Sequence, residues 1–296
     1  MGGLSAEREV SERSGREVVA ALRGLGYPVT AVRVDRDLAR RLARLRPAAA
    51  FNALHGRYGE DGCVQGLLEM MAIPYTGSGV LASALAMHKA AAKTIWKARG
   101  LATPRWALVT SDAPPRPLPA RLPLVVKPNG EGSSVGVSIV RRRSELAAAI
   151  RHARRFGLEV LIEEYVPGAE VTVGVLDGRA LGVLEVIAKG EFHSYAVKYT
   201  AGMEEFHMPA RLPAAVARRV LALAEAAHAA LECGSYSRVD FRVDGRRPYL
   251  IELNSLPGLT DLSYLPRIAA HAGLPFPALC ERILDAATLG VRETRR

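Results

Sequence analysis

The sequence predicts an α/β protein with α+β elements, opening on an open, mostly parallel α/β unit and continuing as a β-rich remainder. Three observations predict it. The first eighty residues alternate helix-spaced and strand-like apolar pieces, the pattern of a parallel sheet with crossover helices. A Gly-rich segment, Asn129–Gly136, separates two short apolar runs. Residues 237–254 then alternate apolar and polar side chains on both sides of a turn, the period-2 mark of half-buried strands.

Taken in order, Ser11–Leu25 carries apolar residues at helical spacing and stops at Gly26. Val29–Val34 reads as a short strand, Asp37–Leu45 as an amphipathic helix, and Ala48–Leu54 as an apolar strand leading into His55-Gly56. Asp61–Met71 is helical in pattern and Ile73–Tyr75 strand-like. Ser83–Arg99 reads as one helix with Lys89, Lys93 and Lys97 a turn apart. A proline-rich connector, Leu118–Pro123, precedes the strands Leu124–Val126 and Val137–Val140. A helix over Ser144–Arg154 and a strand over Val160–Glu164 follow. Val171–Val175 and Ala180–Val186 form a hairpin turned at Asp177-Gly178. Residues 189–209 lack periodicity and read as a long ordered loop. Pro213–Leu231 is a helix with proline in its first turn. Pro266–Ala272 and Phe276–Leu284 close the chain as helices.

Composition narrows the function classes. The 296 residues are 49% hydrophobic and 24% charged, a globular balance. The net charge of +10 comes mostly from arginines scattered among alanines, without Lys/Arg runs interleaved with aromatics. That argues against nucleic acid and for a solvated surface with a basic cleft for a polyanion. The three cysteines match no metal or disulfide spacing and suit a reducing cytoplasm. No apolar run approaches bilayer length, and Ala6 breaks the myristoylation pattern begun by Met1-Gly2, so no membrane partner is expected.

The ribbon carries the strongest chemistry. With residues 244–248 as the loop, Val243 faces Tyr249, which puts Asp240 opposite Glu252 and Arg238 opposite Asn254 on one face. Two carboxylates and an amide beside a guanidinium suit magnesium and the phosphates it carries. A solvated polar face would look similar, but Pro257-Gly258-Leu259-Thr260 adds a rigid turn with backbone N–H groups at the same place. The segment Lys127–Gly136, with Glu131, Ser133 and Ser134, is neither a Walker A loop nor a Rossmann fingerprint. It reads as a flap over phosphates, or more blandly as a hairpin tip. Glu163-Glu164-Tyr165-Val166 offers a strand edge to a base, with Glu170 beyond it for ribose hydroxyls. His55 stands at the C-terminal end of an apolar strand, where open α/β sheets bind ligands; a structural histidine is the competing reading.

Seven motifs in one order resemble the D-alanine–D-alanine ligases of the ATP-grasp superfamily. They are Ser5–Ser11, His55-Gly56 with Gly59–Gly62, Pro74–Gly79, Glu131–Gly136, Lys198-Tyr199, Arg238 with Asp240, and Glu252–Thr260. The resemblance spans essentially the whole chain. It implies an ATP-grasp fold, with residues 1–80 as an N-terminal substrate domain. Residues 81–165 would be the central subdomain with the flap, and 166–296 the C-terminal subdomain. It implies a cytoplasmic enzyme of peptidoglycan precursor synthesis, using ATP and two magnesium ions or manganese in their place, with a homodimer compatible. ATP would phosphorylate one D-alanine to an acyl phosphate, which the amine of a second attacks. Lys89, Lys127 and Lys198 would contact the phosphates, Lys127 also lying near adenine. Glu131 and Ser134 would belong to the covering flap, Glu163, Tyr165 and Val166 would read adenine, and Glu170 would hold ribose. Asp240, Glu252 and Asn254 would bind metal. Glu7 would anchor the first ammonium, linked to Ser133 and Tyr199. Arg238 and the Gly258 N–H would stabilise the oxyanion, and His55, Ser263 and Tyr264 would line the substrate pocket.

Departures from the family pattern are His88 where aspartate is usual, His193 for an aromatic, no acidic residue two places before Lys198, and Tyr264 for leucine. The usual first strand is also missing ahead of Gly2-Gly3, so a true start some five to ten residues upstream is expected, the length of an ordinary strand. Two other readings stay open: a ligase joining D-alanine to D-lactate or D-serine, against which Tyr199 speaks, and a non-catalytic nucleotide-binding relative.

Overall fold

The computed structural model describes residues 1–188 and 204–290. Its regular β-structure is antiparallel and forms two sheets. The first comprises β1 (Trp106–Val109), β2 (Leu124–Pro128), β3 (Ser138–Val140) and β4 (Val160–Glu164), in the order β1-β4-β2-β3. The second comprises β5 (Ala169–Leu176), β6 (Arg179–Ala188), β7 (Glu204–His207), β8 (Tyr236–Asp244) and β9 (Arg247–Asn254), in the order β7-β6-β5-β8-β9.

Each sheet is backed by helix. Apolar residues of α6 (Leu146–Arg154) cover the first: Leu146, Ile150 and Ala153 meet Leu124, Val126 and Ile162. The second buries Val171, Val173, Val239 and Phe241 against Val220 and Ala224 of α7 (Ala214–Ala230). Trp96 joins that same core, so the helix carrying it bridges toward the second sheet. Alternation along β8 puts Val239, Phe241 and Val243 inward and leaves Arg238 and Asp240 on the other face.

The N-terminal eighty residues hold α1 (Arg8–Gly24), α2 (Leu38–Leu45) and α3 (Cys63–Met70), but the strands expected at 29–34, 48–54 and 73–75 do not become ladders. What remains are parallel bridges, Gly2 to Val34 and Ala50 to Tyr75, with an antiparallel one from Tyr75 to Thr288. Side chains take backbone groups that a ladder would use. Asn52 N–H goes to Thr76 Oγ1 at 3.0 Å, Leu54 N–H to Asn52 Oδ1 at 3.1 Å, and Gly2 N–H to Ser11 Oγ at 2.8 Å.

Four further differences bear on the site. The expected helix 83–99 is two, α4 (Val80–Met87) and α5 (Lys89–Ala98), because His88 leaves helical geometry and caps α5, its Nδ1 accepting from Ala91 N–H at 3.1 Å. Strand β1, behind Pro104, was too short to stand out. Residues 204–207, expected in a loop, form β7. The ribbon turns at Gly245-Arg246, with Val243 opposite Pro248, and a bulge after Asp240 then restores the pairing of Asp240 with Glu252 and Arg238 with Asn254. The chain closes with α8 (Tyr264–His271) and α9 (Phe276–Asp285). Among the described residues no helix is long and apolar enough to cross a membrane.

Candidate active site

Two cavities meet between the sheets and the N-terminal unit. The larger, about 460 Å³, opens between β2, β3 and the flap on one side and β5, β8 and β9 on the other. Lys89, Lys127, Glu131, Ser134, Glu163, Tyr165, Val166, Glu170, Asp240 and Glu252 all line it. The smaller, about 110 Å³, is lined by Glu7, His55, Ser133, Arg238, Asn254, Gly258, Ser263 and Tyr264. Gly132 and Glu252 line both, so the cavities adjoin there. Lys198 and Tyr199 lie outside the described residues.

The larger cavity presents Lys89 and Lys127 on one wall, with Glu163 beside them, and Glu170, Asp240 and Glu252 on the other. Lys89 is the first residue of α5, and its Nζ lies 3.4 Å from Glu252 Oε2 and donates to Glu131 O at 2.5 Å. Lys127 Nζ meets Glu163 Oε1 at 2.5 Å. Burial alone would push the Glu163 carboxyl up, but Lys127 and Lys93 outweigh it and hold the group below the usual carboxylate range. Glu163 thus turns its side chain into the protein from a strand paired on both sides, and Tyr165 and Val166, just beyond that strand, line the cavity. At the far end Arg242 joins Glu170 Oε2 at 3.2 Å and takes the Val166 carbonyl at 3.2 Å. Arg242 and the buried Lys93 carry no ligand-binding motif, so sequence reasoning passed over both as contributors here.

The flap is built for close approach. Ser133 and Ser134 both adopt positive φ, +51° and +57°, which turns consecutive backbone groups toward one side. Gly136, at φ +69°, carries a side chain only with strain: a Cβ would sit 2.6 Å from Phe156 and 2.9 Å from Pro128, which would have to shift. Ser133 hydroxyl donates to Glu7 in a short bond that joins the flap to the N-terminal unit. Burial and then the nearby Glu60 raise the pKa of Glu7. Glu60 itself lines the smaller cavity, 3.4 Å from His55 Nδ1, while His55 Nε2 contacts Ser14 Oγ at 3.0 Å. Neither Ser14 nor Glu60 was singled out from the sequence, although Glu60 stands inside the His55 motif.

On the opposite wall Arg238 grips Asp240 in bidentate fashion, Nε to Oδ1 at 2.9 Å and a terminal nitrogen to Oδ2 at 2.8 Å. Thr172 Oγ1 also donates to Asp240 Oδ1 at 2.6 Å, which leaves the outer lone pair of Oδ2 for a further partner. The Arg238 guanidinium lies 5.5 Å from the centre of the Tyr264 ring, whose hydroxyl donates to Glu204 at 2.8 Å. Thr260 N–H and hydroxyl hold Ser263 Oγ at 3.1 and 2.9 Å, closing the turn around Gly258. A Cβ on Gly258 would come within 2.7 Å of that oxygen. Asp240, Glu252 and Asn254 are hard oxygen donors on one face, a donor set that fits magnesium. Asn254 Oδ1 already accepts Leu256 N–H at 2.8 Å, so the amide is fixed in orientation.

The family described as D-ala D-ala ligase C-terminus matches residues 95–285, and D-ala D-ala ligase N-terminus matches residues 38–78. The chain belongs to the D-alanine–D-alanine ligase family. A D-alanine–D-alanine ligase of Anaeromyxobacter sp. (strain Fw109-5) is 54% identical over 294 residues, covering 97% of this chain and 95% of that protein. One from Geotalea uraniireducens (strain Rf4) is 53% identical, covering 99% and 96%. The crystal structure of the Bacillus anthracis D-alanine–D-alanine ligase complexed with ATP superposes with a TM-score of 0.83 at 34% identity, covering 97% of this chain and 94% of that one. A second structure of the Bacillus anthracis enzyme gives 0.85 at 36% identity, covering 97% and 95%. The fold is therefore the ATP-grasp fold of this family.

Proposed function

We propose that the chain joins two D-alanines into D-alanyl-D-alanine at the expense of ATP, supplying a cytoplasmic precursor of peptidoglycan. The observation that carries this reading is the junction of the two cavities at Gly132 and Glu252. A nucleotide in the larger one would point its terminal phosphate at a carboxylate in the smaller one.

Residue roles follow from that placement. Backbone groups of Glu163–Val166 take adenine, Glu170 the ribose hydroxyls, and Lys89 and Lys127 the phosphates, with Glu131 and Ser134 in the flap above. Asp240, Glu252 and Asn254 hold magnesium, which when bound screens the phosphates. Glu7 anchors the ammonium of the first D-alanine and is oriented by Ser133. A carboxylate oxygen of that D-alanine attacks the γ-phosphorus and ADP departs. The second amine then attacks the acyl carbonyl carbon, and phosphate leaves with that oxygen. Arg238, held in orientation by its bidentate pair with Asp240, and the Gly258 N–H stabilise the tetrahedral oxyanion. Ser263 takes the second carboxylate, Tyr264 and His55 shape the pocket, and the family motif assigns Lys198 to the γ-phosphate and Tyr199 to the set with Glu7 and Ser133.

The test is ADP release with D-alanine, D-serine and D-lactate offered singly and in pairs. D-Alanine alone should suffice for full turnover. A requirement for D-lactate or D-serine would move the assignment to a mixed ligase, and ATP binding without turnover on any pair would make the chain a non-catalytic relative.

A further inference from the structure

Lys93 stands outside the machinery above. It is 0% exposed, and it is absent from the linings of both cavities. The lysines of α5 divide by turn: Lys89 faces the cleft, Lys97 lies 5.8 Å from the exposed side of Trp106, and Lys93 enters the interior. A buried ammonium persists only with partners. Its Nζ lies 2.8 Å from Glu163 Oε2 and donates to Thr103 Oγ1 at 2.7 Å. The other Glu163 oxygen holds Lys127. The Thr103 hydroxyl in turn donates a hydrogen bond to Leu250 O at 2.8 Å, on the strand that carries Glu252. One carboxylate is therefore shared by two lysines, only one of which reaches the cleft. If Lys93 were neutral, Lys127 would face the whole charge of Glu163 alone.

We propose that Lys93 is a positioning residue for nucleotide binding, which by sharing Glu163 keeps the Lys127 ammonium available to a phosphate in the cleft and, through Thr103, ties it to β9. The proposal rests on the reading of the larger cavity as the ATP site. Burial lowers the Lys93 pKa to about 8, against the opposing pull of Glu163; Lys127 lowers it further and Glu252 raises it. These three, on β4, β2 and β9, are the charges that face it. On this proposal Lys93 loses its proton as pH rises through that value, and Lys127 is then left facing the whole Glu163 charge.

The experiment measures ATP affinity by calorimetry and D-alanine KM by steady-state kinetics for the wild type, Lys93→Met, and Lys93→Met with Glu163→Gln. Lys93→Met should weaken ATP about tenfold, the effect of roughly one pKa unit of lost interaction, and leave the D-alanine KM unchanged. Removing the Glu163 charge as well should bring ATP affinity back to within about twofold of wild type, since the two sites act as one unit. Wild-type affinity should fall between about pH 7 and about pH 9, while Lys93→Met stays flat. Unchanged ATP binding in Lys93→Met, or a double variant weaker than the single one, would overturn the proposal. If Lys93→Met does not fold, the wild-type series decides alone, and a flat profile refutes it. Failure of the wild type to bind ATP at any pH would overturn the reading of the cleft instead.

Discussion

Glu252 sits where the two cavities join, 3.4 Å from Lys89 and directly across the ribbon from Asp240. Glutamine there keeps the shape and removes the charge that faces Lys89 and, on the proposed reading, would hold magnesium. Glu252→Gln should fold normally, but its magnesium-dependent turnover should drop by about a hundredfold or more, a loss of a few kcal/mol in transition-state stabilisation. Turnover near wild type at millimolar magnesium would remove Glu252 from the metal site. Glu7 carries the opposite signature. Its folded pKa lies above the ordinary carboxyl value because it is buried and faces Glu60. The folded protein then binds more protons than the unfolded chain between those two values, so this contribution to stability is present at lower pH and is lost as pH rises through the folded pKa. Glu7→Gln should abolish that slope and raise the melting temperature at neutral pH, while costing the first D-alanine its anchor. A variant that melts lower at neutral pH, or one that still binds D-alanine like wild type, contradicts the assignment.

At the scale of elements, the flap and the ribbon were readable for different reasons. The ribbon keeps its partners although the loop expected over 244–248 is the two-residue turn Gly245-Arg246: the pairing beside the turn is shifted by one residue, and the bulge after Asp240 returns the register at Glu252. Alternation fixes which face a carboxylate occupies, whereas loop length depends on turn geometry that composition does not encode. The flap was legible through Gly136 and its neighbours. Gly136→Ala places a methyl group against Phe156 and Pro128 at a positive φ, so it should cost about 1–3 kcal/mol of stability and weaken ATP more than D-alanine. An alanine variant with unchanged melting and ATP affinity would mean that the flap adapts freely. Other elements were hidden. Continuous helical spacing over 83–99 masks the break at His88, because the break is made by a cap and by the Asn129 carbonyl, which accepts Lys89 N–H at 3.1 Å from a distant turn. The N-terminal strands read well as patterns, yet their backbone groups go to Thr76, Asn52 and Ser11 side chains, partners that period-2 counting ignores.

Across the whole molecule, beginning and end are clasped together. Val18 and Leu22 of α1 share a core with Leu279, Cys280 and Ile283 of α9, and Tyr75 exchanges backbone bonds with Thr288 at 3.2 and 3.1 Å. Glu7, His55 and Ser14 are thereby held against the turn at Gly258, whose neighbour Leu259 donates its N–H to Ser14 Oγ at 3.3 Å. Such long-range closure has no local signal. The order of motifs along the chain conveyed the chemistry, while the residues packed behind the cavities, the buried Lys93, Glu60 and Ser14 and the partly buried Arg242, appeared only once distant segments met. The central claim is that the junction at Gly132 and Glu252 transfers a phosphoryl group to a carboxylate before the peptide bond forms. D-Alanine labelled with oxygen-18 in its carboxylate tests it most directly. Mass spectrometry of the products should find one labelled oxygen carried into each inorganic phosphate released, in step with dipeptide formation. Dipeptide formed with all of the phosphate unlabelled would contradict the account.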